Sequence, residues 1–291
     1  MSGFAKHVVW SVWSAIARRT ARAYVAGPTI EDALRVCRWL SERSLATTIG
    51  FWDGEEDPPD EVTARYLEVL NAIAAEKLDS YASIKASSIG YDWDLLVGIL
   101  DRSRESNIGV HFDSIGPQTA DETFGLIERA SARHSLIGCT LPSRWVRSVD
   151  DAQRAVDLQV RVRVVKGQWA DPDAPNLDPR VTYLEIIDRL SGRAPSVAVA
   201  THDVFLARES LKRLLASSTR CEVELLFGLP VRPALALALE LRVPARLYVP
   251  YGEAYLPYTL SQARRRPRTV WWILRDTLLG RTLFVPRSYG R

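Results

Sequence analysis

The chain has 291 residues, 47% of them hydrophobic and 25% charged, which suits one large domain with a sizeable core and excludes a disordered or fibrous chain. Net charge is only +3, with basic residues spread along the sequence rather than gathered in a stripe, so nucleic acid is not an expected partner. Cys37, Cys139 and Cys221 are too widely spaced for a metal or disulfide pattern and read as buried thiols in a reducing cytoplasm, and no apolar run reaches the eighteen or so residues of a membrane span.

From Phe4 to Tyr24 apolar and basic positions alternate at helical spacing, with Trp10, Trp13, Ala17, Ala21 and Tyr24 on one stripe. This predicts an N-terminal amphipathic helix over residues 1–28, packed outside the domain, with a peripheral contact on anionic lipid as the sharper reading of its Trp and Arg faces. Thr29 with Asp32 makes a capping-box-like start to the next helix, which runs to about Ser44. A regular alternation follows. Strands are predicted over 46–52, 82–88, 108–114, 135–142, 160–167, 197–203, 221–228 and 246–252, with helices over about 59–78, 92–105, 120–133, 149–157, 180–191, 204–216 and 231–241 between them. Eight such units at this spacing predict an α/β fold, a closed (β/α)8 TIM barrel over residues 29–267, with extra N-terminal and C-terminal helices.

A parallel barrel builds its site at the C-terminal ends of its strands. The candidates there are Asp53, Glu55, Lys85, Ser87, Asp113, Ser114, Ser143, Arg144, Lys166, Gln168, Thr201, His202, Asp203, Glu224 and Tyr248. After the eighth strand, a helix from about Glu253 would carry Tyr258, Ser261, Gln262 and Arg265 on one face over the mouth. No GxGxxG or P-loop pattern is present, so a dinucleotide would not be held by a Rossmann fold. His111 and His202 fall at opposite ends of their strands and do not suggest a shared metal.

SIKASS at 83–88, VHFDS at 110–114, RVVKGQW at 163–169, ATHD at 200–203, EVELLFG at 222–228 and YVPYGEAYLPY at 248–258 together resemble, in order and spacing, the proline dehydrogenase family. The resemblance runs from about Val25 to Pro267. It implies an FAD-dependent barrel that oxidises a C–N bond of an amine or amino-acid derivative by hydride transfer to flavin, with a quinone among the electron acceptors to be considered. It also implies roles for particular residues. Arg163 resembles the arginine that approaches flavin N5; Val165, Lys166 and Gly167 resemble the rest of that flavin-binding strand; Thr201 and His202 resemble the pair at the cofactor's phosphate and ribityl region, and Glu224 stands where the family has a glutamine. Asp113 and Tyr248 resemble the polar pair on the substrate side, and Lys85 a lysine that helps neutralise a substrate carboxylate. Without the resemblance, Lys85 and Asp113 would be read as salt-bridged to each other.

The departures bear on substrate. In the family the last helix carries Tyr, then two arginines at i+3 and i+4 that clamp the proline carboxylate; here Tyr258 is followed by Ser261, Gln262 and Arg265. A hydroxyl and an amide do not replace two guanidinium groups, which argues for a substrate other than free proline. Pro142 replaces a flavin-contacting glutamine, Trp169 a tyrosine, and Gly50 an aspartate. Two readings follow: a flavoenzyme with a changed substrate, in which Arg265 supplies a displaced cation, or a redox-inactive barrel that serves as a ligand-binding or assembly subunit. The tail over 268–291 reads as a covering helix, with Trp271, Leu274 and Leu278 on one stripe.

Overall fold

The structure is a computed structural model and describes residues 25–54 and 56–252. The expectations for the N-terminal helix, for Glu55, for Tyr258, Ser261, Gln262 and Arg265, and for the tail lie outside these residues.

Eight parallel strands close into a barrel in sequence order: β1 (Ala46–Phe51), β2 (Ser80–Ile84), β3 (Val110–Phe112), β4 (Ile137–Pro142), β5 (Arg161–Val165), β6 (Val197–Ala200), β7 (Cys221–Leu226) and β8 (Ala245–Tyr251), with β8 pairing back onto β1. Helix α1 (Ile30–Ser41) precedes β1, and α2 (Pro59–Glu76), α3 (Trp93–Glu105), α4 (Ala120–Ser131), α5 (Ser148–Asp157), α6 (Pro179–Leu190), α7 (Val204–Ala216) and α8 (Arg232–Glu240) follow β1 to β7 in turn. The alternation read from the sequence is thus the observed topology. The predicted second strand is misplaced: β2 ends at Ile84 because Ser87–Ile89 coil into a short 3-10 turn closed by Gly90 at φ +63°.

Helix starts follow the local chemistry. Thr29 and Asp32 form the reciprocal capping box at the head of α1, Asp92 and Asp203 cap α3 and α7, and Pro at the first turn opens α2, α6 and α8. The fully buried α1 residues Ala33, Cys37 and Leu40 belong to the same apolar core as Ile49 of β1 and Leu247 of β8. Helix α1 packs on β8 and β1, so it fills the place in the outer ring beside the last strand. The core is the shell between strands and helices, where Ile49, Val162, Val164, Val199, Val223 and Val249 are all fully buried. All three cysteines are buried free thiols, and burial pushes those of Cys37 and Cys139 up to about 12.

Candidate active site

The strand alternation decides what faces the barrel axis. In β5, Val162 and Val164 point out into the shell, so Arg161 and Arg163 point in. In β7 the same rule sends Val223 and Leu225 outward and Glu222 and Glu224 inward. Beside Arg163, β6 offers Ala198 at the paired position, which leaves room for the guanidinium. An interior of this kind is charged where a barrel of this class usually stacks branched aliphatic side chains.

Arg163 is its centre. It is 3% exposed and donates through Nη1 to Asp113 Oδ1 at 2.7 Å and through Nη2 to Glu224 Oε1 at 2.8 Å. Its Nε is buried and has no hydrogen-bond partner among the described residues. Burial opposes the charge, but Glu224, Tyr81 and Asp113 outweigh it and hold the guanidinium protonated well above its ordinary range. Glu224 is saturated from within the protein. Its Oε1 also accepts from Thr48 at 2.7 Å, and its Oε2 from Tyr81 at 2.8 Å and Arg161 at 3.2 Å. Burial would raise its pKa; Arg163 and Arg161 overcome that and keep the carboxylate ionised well below the usual range.

One layer down, Arg161 pairs with Glu222, and Arg246 donates to Glu222 at 2.9 Å and to the Thr47 carbonyl at 2.6 Å. The Tyr81 ring lies among three guanidinium groups, those of Arg161, Arg246 and Arg163, at 4.2, 4.6 and 5.9 Å. His111 sits at the edge of this layer, its Nδ1 3.2 Å from Arg161 Nη1 and its Nε2 3.0 Å from Thr140 Oγ1. Arg161 can only donate, so Nδ1 accepts and Nε2–H donates. Burial, then the charges of Arg163 and Arg161, hold this imidazole neutral well below the usual histidine range.

At the mouth, Asp113 accepts from Arg163 on one oxygen and from the Tyr248 hydroxyl on the other at 3.0 Å. Burial and the Asp113 charge push the Tyr248 phenol well above its ordinary range. A Cβ at position 50 would lie 2.1 Å from the Tyr248 hydroxyl, so Gly50 is what leaves room for that ring. Lys85 pairs with Asp53, not with Asp113, which corrects the salt bridge that the bare sequence suggested. Lys166 is half-exposed and 3.8 Å from Asp203. Gly167 has φ +83°, a Cβ there would meet Pro142 at 2.7 Å, and its carbonyl accepts from Arg144 at 3.0 Å, so this turn is shaped around Pro142.

Asp53, Lys85, Asp113, Arg163, Lys166, Gly167 and Tyr248, with Val165, Thr201 and His202, line one basin of about 1870 Å³ over the strand ends. That exceeds the roughly 300–1,000 Å³ of a small-ligand pocket and leaves room for a dinucleotide cofactor and a substrate together. Two of the candidates that line it are already engaged by other groups of the protein. His202 accepts on Nε2 from the Leu226 N–H at 3.1 Å and meets the Pro230 carbonyl through Nδ1 at 3.2 Å, so both ring nitrogens already tie the β6 loop to β7. Glu224 likewise has no open oxygen. Thr201 keeps its hydroxyl proton available, since its Oγ1 accepts from the Asp203 N–H. Arg161, Tyr81, Thr48 and Thr140 were missed in the sequence; the signal was there for Arg161, two residues before Arg163 and therefore on the same face.

No protein-family model matches the chain. Among curated proteins it is 28% identical over 280 residues to proline dehydrogenase 1 of Bacillus subtilis subsp. natto, covering 90% of this chain and 91% of that one. It is 25% identical over 285 residues to proline dehydrogenase of Deinococcus radiodurans, covering 89% and 90%. Among solved structures, proline utilization A (PutA) from Bdellovibrio bacteriovorus inactivated by N-propargylglycine superposes with a TM-score of 0.74 at 16% identity, over 89% of this chain. PutA from Corynebacterium freiburgense gives 0.69 at 16% over 94%. The chain spans only about a third of each PutA chain, 33% and 34%, and at this identity the likeness concerns the fold alone. With curated matches along nearly the whole sequence and a barrel of the same fold, the chain is similar to the proline dehydrogenases over about 90% of its length.

Proposed function

We propose that the protein is a flavin-dependent oxidoreductase that oxidises the C–N bond of an amine or amino-acid derivative other than free proline. The observation that carries the redox part is Arg163, a buried cation at the base of the mouth with one N–H that has no partner among the described residues, within a motif that resembles the family's flavin-binding strand. The residues present fit a flavin: an orphaned donor, a basin of sufficient size, and Val165 and the glycine turn at 167 along its wall. Bound there, FAD would supply a two-electron acceptor for the hydride that leaves the carbon next to the substrate nitrogen.

The chain's own part is electrostatic and positional. Arg163 places a fixed positive charge and a free donor beneath the basin, preorganised by Asp113 and Glu224 so that it does not reorient during turnover. Asp113 presents the remaining acceptor capacity of Oδ2, beside the Tyr248 hydroxyl, to a protonated amine. Lys166 and Thr201 offer a cation and a hydroxyl to an anionic cofactor arm. Tyr258 and Arg265 enter this reading on sequence alone.

The substrate class is supported by charge. Among the described residues nine Asp and Glu line the basin against four Lys and Arg, and an acidic cleft concentrates cations. All four of those cations, Arg65, Lys85, Arg163 and Lys166, already pair with a carboxylate. A quinone as electron acceptor and a peripheral membrane contact through the terminal segments belong to the same reading; among the described residues no helix is long and apolar enough to cross a membrane.

A second reading, a redox-inactive barrel that binds a ligand or a partner, is favoured by Pro142 and by the saturation of Glu224 and His202. Spectroscopy separates the two. A flavin absorbance band in the purified or FAD-reconstituted protein is expected, and Arg163→Ala should slow flavin reduction by about 100-fold or more while costing less in flavin retention. Colourless protein that takes up no FAD, or an unchanged reduction rate in the variant, rejects the enzyme reading or the role of Arg163 respectively.

A further inference from the structure

We infer that Asp53 is a specificity-determining residue: it holds the Lys85 ammonium in an ion pair at the basin wall, so that Lys85 does not receive a substrate carboxylate and the site selects amines that lack one. The inference rests on the oxidoreductase reading for its substrate class, and on geometry for its residue. Lys85 Nζ contacts Asp53 Oδ1 directly, and the other oxygen, Oδ2, accepts from Ser88 Oγ at 2.6 Å. Both carboxylate oxygens are thus engaged, and the side chains of Lys85 and Asp53 are only 19% and 14% exposed. An ion pair shielded to this extent is not dissolved by solvent as a surface pair is.

The pair is also fixed at its base. The Lys85 backbone N–H donates to the hydroxyl of Tyr66 at 3.1 Å, and Tyr66 is fully buried in the shell. Ser88 sits in the 3-10 turn directly after β2, so the same turn that ends the strand early presents the hydroxyl that orients Asp53. Binding a carboxylate at Lys85 therefore requires breaking an existing charge-assisted contact and leaving Asp53 beside the incoming anion, a like-charge placement. An amine without a carboxylate meets no such cost.

The experiment is equilibrium binding of L-proline and of pyrrolidine, the same ring without the carboxylate, to the full-length FAD-loaded protein. Asp53→Asn keeps the shape and can still accept from Ser88 while releasing the ammonium. The expected result is that this variant binds proline about tenfold more tightly than the unmodified protein does, with pyrrolidine within about twofold. Adding Lys85→Met to Asp53→Asn should abolish the gain. The inference is overturned if Asp53→Asn shifts both ligands alike, if proline binding is unchanged in a variant that unfolds normally, or if the gain survives loss of Lys85. Flavin reduction by the two amines is recorded separately. Failure of pyrrolidine to reduce the flavin counts against the oxidoreductase reading, while the binding ratio still reports on Asp53.

Discussion

The two faces of one barrel wall behave as different materials. On β5 and β7 the outward residues Val162, Val164, Val223 and Leu225 enter a shell with no polar demand, while one residue along each strand, a rise of about 3.3 Å, Arg161, Arg163, Glu222 and Glu224 form a closed charge network. The outer face gains from burying area, roughly 25 cal/mol per Å². The inner face gains little in net terms, because desolvating ions costs about as much as pairing them returns. The shell therefore holds the barrel together, and the interior is kept for what happens at the mouth.

Three measurements put that contrast to the test. The largest effect is expected from Glu224→Ala, which leaves Arg161 and Arg163 short of a counter-charge and should cost about 3–5 kcal/mol in urea unfolding. Pairing Glu224→Gln with Arg161→Met, which removes a charge of each sign together, should recover most of the loss; no recovery would mean that the interior network itself carries the fold. Ile49→Ala, in the shell, should cost about 2–5 kcal/mol by lost burial and a residual cavity. A cost below about 1 kcal/mol would show that the shell closes over the gap.

The smallest effect is a pH dependence. The folded pKa of His111 lies well below the ordinary value near 6.5, so below about pH 6.5 the unfolded chain binds a proton that the folded one does not. Stability present above that pH is lost as pH falls, and His202, shifted the same way by burial, adds to it. Glu224 acts in a separate window. Its contribution is complete above the ordinary carboxylate range and disappears only as pH falls toward its depressed folded value. His111→Gln should flatten the limb of the urea-midpoint profile between about pH 6.5 and 5 and leave the acid limb in place. An unaltered upper limb would show that His111 is not its source.

The barrel was legible because its signals are local. Period-two alternation in RVRVV and CEVELL, caps at Thr29 and Asp203, and Pro at helix starts each act within a few residues. The end of β2 was not, since the alternation continues through residues that a turn takes over. Within the site, the motifs marked Arg163, Lys166, Asp113 and Tyr248, and the structure brings Arg163, Asp113 and Tyr248 into one hydrogen-bonded set. The partners were not readable, because they are chosen across the ring. Glu224 meets Thr48 over 176 positions and Lys85 meets Asp53 over 32, so only closure of the barrel decides which charge answers which. His202 shows the converse: a residue marked by its motif turns out to have both nitrogens taken by backbone 24 and 28 positions away.

Helix α1 occupies the outer ring beside β8, and two backbone contacts finish the job: Ala26 N–H donates to the Pro250 carbonyl at 2.9 Å and Gly252 N–H to the Gly27 carbonyl at 3.0 Å. The stretch that leads into the ring and the stretch that leaves it are therefore laced together a few residues beyond Tyr248. Shortening the chain from its front past Gly27 would unfasten the exit of the strand that carries this tyrosine, so an intervention at the entrance to the barrel is felt at the end of β8 and at the substrate side of the basin beside it.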